Sequence, residues 1–364
     1  MASSPSSPSP LFSVLSVLAN SNLFPFFFAL SIGIPSALLY CLELVVIVAN
    51  FDDFNSAFFV LVAFRAVSSL INFVFSFFAQ RFGEIGLFLA LYLNLPRFVL
   101  ASFFFFFYYT FFIENLLTTF LLVNRFTAIL FPTKYEKLWR RGLPLFLAVT
   151  FILPLPLTIP ILNEGTYIHV QDDNATFTLD NYKTGNKLDS SEIATSFSFF
   201  VGVVCLLLNL ASIVAYKLRK VGHQNATIEH KLTIFTMITF FGHLIATISW
   251  VLVSLTSINE VDEQNKPSSY VQMWFGLTFE ENETLFQANF NQFPWVNDLS
   301  MLAIPAWLLL WASSKMREII AKKFNWIRRN GQQKNIAIVT VKRNVVPMSA
   351  KVQPQKHLLT NQRN

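Results

Sequence analysis

The segment Phe98–Leu122, FVLASFFFFFYYTFFIENLLTTFLL, runs for 25 residues with a single formal charge, Glu114. As a helix rising about 1.5 Å per residue, it outspans a hydrocarbon core of roughly 30 Å. The consecutive phenylalanines Phe103–Phe107 point in every direction around such a helix, so no polar face is left for water. No period-two alternation favours a strand. The segment belongs in lipid or among other helices.

Six more blocks read the same way: Leu23–Val48, Ala57–Phe78, Leu143–Leu162, Phe197–Ala215, Leu232–Leu255 and Val296–Trp311. The whole chain is 54% hydrophobic, 13% charged and has a mean hydropathy of +0.49, too little charge to cover a soluble surface. The expectation is an all-α membrane protein, a bundle of seven transmembrane helices. Pro25, Pro35, Pro154, Pro156, Pro160 and Pro305 fall within or beside the spans, where neighbouring groups can satisfy the freed carbonyls. Ile85–Leu95 is apolar but about half a span long, and it reads as a connection between spans two and three.

Charge sets the orientation. The connection after span three carries Arg125, Lys134, Lys137, Arg140 and Arg141, and the one after span five carries Lys217, Arg219, Lys220 and Lys231. The alternate connections hold acids such as Asp172, Asp173, Asp189, Glu260 and Glu263. Cytoplasmic loops collect Lys and Arg, which places the N-terminus outside and the C-terminus in the cytoplasm. Three regions follow: a short extracellular N-terminus at 1–22, a membrane domain at 23–312 and a cytoplasmic basic tail at 313–364. Lys315–Arg329 reads as an amphipathic surface helix after span seven, with Met316, Ile319, Ile320, Phe324 and Ile327 toward lipid. The net charge of +6 therefore points to anionic membrane lipid and not to nucleic acid. No basic n-region marks a cleavable signal, and Cys41 and Cys205 both lie inside spans, so no disulfide framework is expected. The sequons at Asn174 and Asn282 fall in outer loops, Asn163–Glu192 and Ser257–Trp295, and are candidate glycosylation sites; the one at Asn225 falls inside.

The most informative local pattern is Asn124-Arg125-Phe126 at the cytoplasmic end of span three, followed by Phe131-Pro132 and by Tyr135, Lys137 and Trp139. An arginine there can snorkel to water or turn inward between helices, where its donors would be offered to a docking peptide when the helices part. This stretch, with Asp298-Leu299 through Ile304-Pro305-Ala306-Trp307, resembles the nematode serpentine chemoreceptors, above all the class gamma (Srg) family, with classes V and X as near relatives. The resemblance covers roughly residues 23–325. It implies a G-protein-coupled chemosensory receptor for an environmental small molecule, with a heterotrimeric G protein as partner, at the plasma membrane of a sensory neuron's cilium. Asn124, Arg125 and Phe126 are then the coupling residues. Departures from the rhodopsin-like pattern are the missing cysteine pair at the top of span three, the missing Asp in span two, and Ile304 and Leu308 flanking the Pro305 motif.

Intramembrane polar residues are the other candidates. Glu43 and Arg65 lie at comparable depth, roughly 8 and 12 Å from the cytoplasmic face at about 1.5 Å per residue; they are expected to pair or to share a hydrated pocket. Glu114 and Asn115, with Asn72 and Asn209, suggest a polar cluster that binds a cation or switches by protonation, or else plain helix–helix hydrogen bonding. His243 and Trp250 on span six face either a ligand cavity or the core. No cofactor and no metal site is expected. The five histidines are scattered and no HExxH or GxSxG occurs, which argues against an enzyme; a multi-pass transporter, the other reading, lacks its usual internal repeat.

Overall fold

Among its described residues, the computed structural model contains seven helices long and apolar enough to cross a bilayer: Leu23–Ala49, Ala57–Glu84, Arg97–Leu130, Pro132–Asn163, Glu192–Leu218, Lys231–Thr256 and Glu280–Ala312, numbered here as spans one to seven. Residues 10–21, 23–171, 175–181, 190–218, 226–256 and 279–323 are described. The end of the bundle bearing the basic connections is called the basic end, and the other the acidic end. Each expected span lies inside an observed one. Span seven departs most, beginning at Glu280 and not near Val296, so the second half of the expected outer loop is helix. Hydropathy missed it because the turns around Glu280, Glu281 and Glu283 are polar. They are held by packing: Asn282 Nδ2 donates to the Thr256 carbonyl (3.1 Å) and Asn289 Nδ2 to that of Ser249 (2.7 Å), both on span six.

Spans one, two and seven each contain one π-helical turn, at Ala29–Gly33, Phe77–Arg81 and Asp298–Ala303. A proline ring clashes with the carbonyl four residues back, and a widened turn relieves that clash. Pro35 and Pro305 sit just past the first and third of these turns. Rotated by the extra residue, span seven buries Asp298, Ser300, Met301, Leu302 and Ala303 in succession. Span three lies centrally, with Glu114, Asn115, Leu117 and Leu121 all out of solvent's reach, whereas span four is peripheral.

The acidic end is built and not merely looped. Ile85–Leu95 folds as turns and a short helix, Leu89–Leu93, and is not a span. Among the described residues, one small sheet accompanies the helices. Thr166–Val170 (β1) and Phe177–Asn181 (β2) form an antiparallel hairpin within the connection from span four to five, with Ile168 opposite Leu179 and Val170 opposite Phe177. Alternation selects its inner face, on which Phe177 and Leu179 are buried. The N-terminal stretch also has structure: Pro10–Ala19 is a helix against the outer part of span seven, where Asn291 Nδ2 donates to the Ala19 carbonyl (2.7 Å) and Gln292 Nε2 to that of Leu18 (2.9 Å).

The tail from Lys315 is a separate unit. It is helical through residue 323, with Lys315, Arg317, Lys322 and Lys323 exposed and Ile319 and Ile320 half-buried. Lys322 pairs with Glu318 at 2.6 Å, which holds the Glu318 carboxyl below its ordinary value. Phe324 and Ile327 lie outside the described residues.

Candidate functional site

At the basic end, the residues of the span-three motif contact one another. Asn124 is fully buried and its Nδ2 donates to the Tyr135 hydroxyl at 2.8 Å; one turn on, Trp139 Nε1 donates to Thr127 Oγ1 at 2.8 Å. Helical spacing aligns Asn124 and Thr127 on one face of span three, and Tyr135 and Trp139 on the facing side of the next helix. Trp139 is 2% exposed and packs on Phe146, which in turn touches Phe120. The helix-to-helix corner at Phe131-Pro132 is thereby braced by two side-chain bonds. Arg125, on the opposite side, turns inward. Its guanidinium carbon lies 3.9 Å from the ring centre of Phe58 on span two, and Phe58 packs edge-on against Phe235 of span six at 5.7 Å. Phe126 is half-buried beside it.

Halfway through the bundle lie the two charges expected to pair or to share a hydrated pocket. Glu43 and Arg65 are both buried and make no direct ion pair or hydrogen bond with each other. Equal depth says nothing about the direction a helix face points. Asn115 turns its Nδ2 to the Phe111 carbonyl at 2.8 Å, an ordinary intrahelical bond. Asn209 does the same with the Cys205 carbonyl at 3.0 Å.

Sequence reasoning missed the best-formed polar contact, nearer the acidic end. Arg81 Nη2 and Asp298 Oδ2 lie 2.7 Å apart, with both side chains essentially inaccessible. Arg81 also donates to the Pro294 carbonyl (3.1 Å) and to Ser76, and its guanidinium sits over the Phe77 ring at 4.7 Å. Directly below, Asn297 Nδ2 donates to Asn72 Oδ1 (3.0 Å), while Asn72 Nδ2 donates to the Phe107 carbonyl (3.0 Å) and to Thr110 (3.0 Å). Ser69 donates to the Met301 carbonyl at 3.0 Å. A polar seam thus joins spans two, three and seven. The available signal was a charge count: Arg81 and Asp298 stand at the ends of apolar runs, and a buried charge requires a partner.

Above the seam lies an aromatic floor. Trp250 meets Phe293 at 4.7 Å, Phe111 at 5.5 Å and Tyr108 at 6.1 Å between ring centres. Trp250 and His243 lie seven residues, about two turns, apart on one face of span six. The β-hairpin covers the neighbouring acidic-end surface without any disulfide. Phe177 inserts beside Tyr92 (4.8 Å) and Leu100, and Tyr92, whose hydroxyl burial pushes above its ordinary pKa, donates to the Phe78 carbonyl at 2.8 Å. A Cβ on Gly83 would come within 2.3 Å of the Phe177 carbonyl oxygen, and one on Gly86, whose φ is +69°, within 2.7 Å of that of Ala175. Glycine lets two backbones touch here.

Of the sequons, Asn174 lies outside the described residues. Asn282 needs correction as a glycan acceptor: it is fully buried in the outer part of span seven, with its amide nitrogen bonded to Thr256. A glycan on that nitrogen has no room.

Seven spans, a braced arginine motif at the basic end and a structured cover at the acidic end define a serpentine membrane protein. The model of the Srg family chemoreceptors matches residues 26–320, and this chain belongs to that family. Among curated proteins it is similar to three from Caenorhabditis elegans. Serpentine receptor class gamma-31 is 24% identical over 206 residues, 56% of this chain and 58% of the relative. Serpentine receptor class gamma-13 is 25% identical over 150 residues, 41% of this chain and 44% of the relative. Serpentine receptor class gamma-10 is 34% identical over 120 residues, covering 33% and 36%. The matched segments thus span 58% or less of these relatives' lengths. The family is one of receptors and not of enzymes.

Proposed function

We propose that this protein is a chemosensory receptor that binds an environmental small molecule from its acidic end and engages a heterotrimeric G protein at its basic end. In this reading the N-terminus is outside the cell and the basic tail in the cytoplasm, where Lys315, Arg317, Lys322 and Lys323 meet anionic lipid. The receptor resides in the plasma membrane of a sensory cilium. Asn174, on the outer hairpin connection, carries a glycan.

The observation that carries the reading is the setting of Arg125. A buried guanidinium stacked on Phe58, itself against Phe235 of span six, is a donor set that span six helps to cover. Displacing span six uncovers it for the carbonyls of a docking peptide, while the Asn124–Tyr135 and Trp139–Thr127 bonds keep the span-three corner in place. The ligand occupies the helix interior near Trp250 and Phe293, where an apolar, ring-lined wall suits a largely hydrophobic molecule.

The test is expression with a promiscuous Gα subunit and a calcium readout across volatile and soluble compounds. Arg125→Ala is expected to abolish every response at unchanged surface expression. Full signalling by that variant would remove Arg125 from the mechanism.

A further inference from the structure

Between spans one and two lies a groove that the receptor reading does not use. Leu30 and Ile34 of span one and Phe73, Val74, Phe77 and Phe78 of span two line it; its volume is about 370 Å³, and every side chain along it is apolar. Leu30, Ile34, Val74 and Phe78 remain exposed, so the groove opens sideways, out of the bundle, within two membrane-crossing segments. Its inner wall is built of rings. Phe73 and Phe77 meet edge-on at 5.2 Å between centres, and the Arg81 guanidinium sits over both, at 5.5 and 4.7 Å. Phe73 also reaches the span-one backbone, where a Cβ on Gly33 would come within 2.7 Å of its ring. Both walls carry a π-turn, Ala29–Gly33 and Phe77–Arg81, a widened turn that often marks a functional position.

The walls select the occupant. Water needs two or more polar partners, and these side chains offer none. A molecule with polar groups would leave them unpaired in an apolar site, which is costly. Left empty, the rings would lose contacts on one side. Length supplies the remaining constraint. The span-two wall runs from Phe73 to Phe82, nine residues or about 14 Å at roughly 1.5 Å per residue. That is about one leaflet of a hydrocarbon core roughly 30 Å thick. These residues also lie in the half of span two nearer the acidic end.

We propose that this groove is a lipid-binding site for one acyl chain of a bilayer phospholipid, drawn from the leaflet at the acidic end and lying lengthwise between spans one and two. The chain packs on Phe73 and Phe77 and so backs the rings that sit against Arg81, the partner of Asp298.

Photolabelling of the full-length protein in nanodiscs tests this, with a phosphatidylcholine that carries a diazirine midway along one acyl chain. Adducts mapped by mass spectrometry are expected several-fold more often on Leu30, Ile34, Val74 and Phe78 than on Ile152, Phe199 and Phe200. Those three are more exposed apolar residues in the acidic-end halves of spans four and five. Val74→Trp, which fills the groove from its rim, should lose the excess; Leu30→Trp fills it from the other wall and serves if the first variant fails to fold. Even labelling of the two sets in the unmodified protein would overturn the proposal, as would an excess that survives filling. So would displacement of the label by added cholesterol, since a rigid sterol would then be the occupant. The measurement needs neither ligand nor G protein, so its outcome is independent of the receptor reading.

Discussion

Arg81 and Asp298 offer the sharpest test of how the bundle is held. Replacing Arg81 with Met leaves the Asp298 carboxylate buried, and replacing Asp298 with Leu leaves a guanidinium with only Ser76, the Pro294 carbonyl and two phenylalanine rings. Breaking a buried pair from one side costs about 3–5 kcal/mol, whereas replacing both members with apolar residues is often close to neutral. Arg81→Met and Asp298→Leu should each destabilise by that amount. The double variant should lie within roughly 2 kcal/mol of the unmodified protein, because no charge is then stranded. The protein carries its own reporter: Cys205 is a free, fully buried thiol held at 3.3 Å by Thr119. A thiol-reactive fluorogenic dye added to purified protein in nanodiscs reads its exposure on heating, in a Cys41→Ser background because Cys41 is exposed. At roughly 2–4 °C per kcal/mol, each single variant should melt of the order of 10 °C lower. Strictly additive losses, with the double variant the least stable, would show that the two charges are not coupled and would refute the seam as drawn.

Two further outcomes follow from the acidic end. Gly83→Ala drives a methyl group into the Phe177 carbonyl, so the hairpin must lift; amide exchange and protease cleavage at residues 166–181 should accelerate while the spans stay protected. Phe177→Ala should produce the same effect through a cavity worth about 3–5 kcal/mol, and unchanged protection in both variants would mean that the hairpin is held elsewhere. In glycosidase-sensitive expression, Asn174→Gln should remove a whole glycan shift on a gel and Asn282→Gln none; a shift lost only with Asn282→Gln would contradict its burial against Thr256.

Much of the candidate site was legible because its parts are neighbours along the chain. Asn124, Arg125, Tyr135 and Trp139 occur within sixteen residues, and helical spacing suffices to place them on facing surfaces. Glu43 and Arg65 lie on separate spans, so whether they touch was not legible in the same way. Depth follows from counting residues, but the direction of a side chain depends on how far each helix is rotated about its axis. The helical outer part of span seven escaped hydropathy because Asn282 and Asn289 stabilise it through bonds to span six and not through apolar character.

What the amino-acid order determined by itself is the set of one-dimensional quantities: how many apolar runs are long enough to cross lipid, which connections are basic, and where the arginine motif stands. Those follow from the cost of exposing backbone and charge to hydrocarbon, which each segment meets on its own. Only the tertiary structure decided which faces meet. Arg81 finds Asp298, Asn72 finds Asn297, and Phe177 finds Tyr92 across long stretches of chain, because a buried polar or aromatic group is satisfied by whatever packing brings beside it, and packing belongs to the assembled bundle.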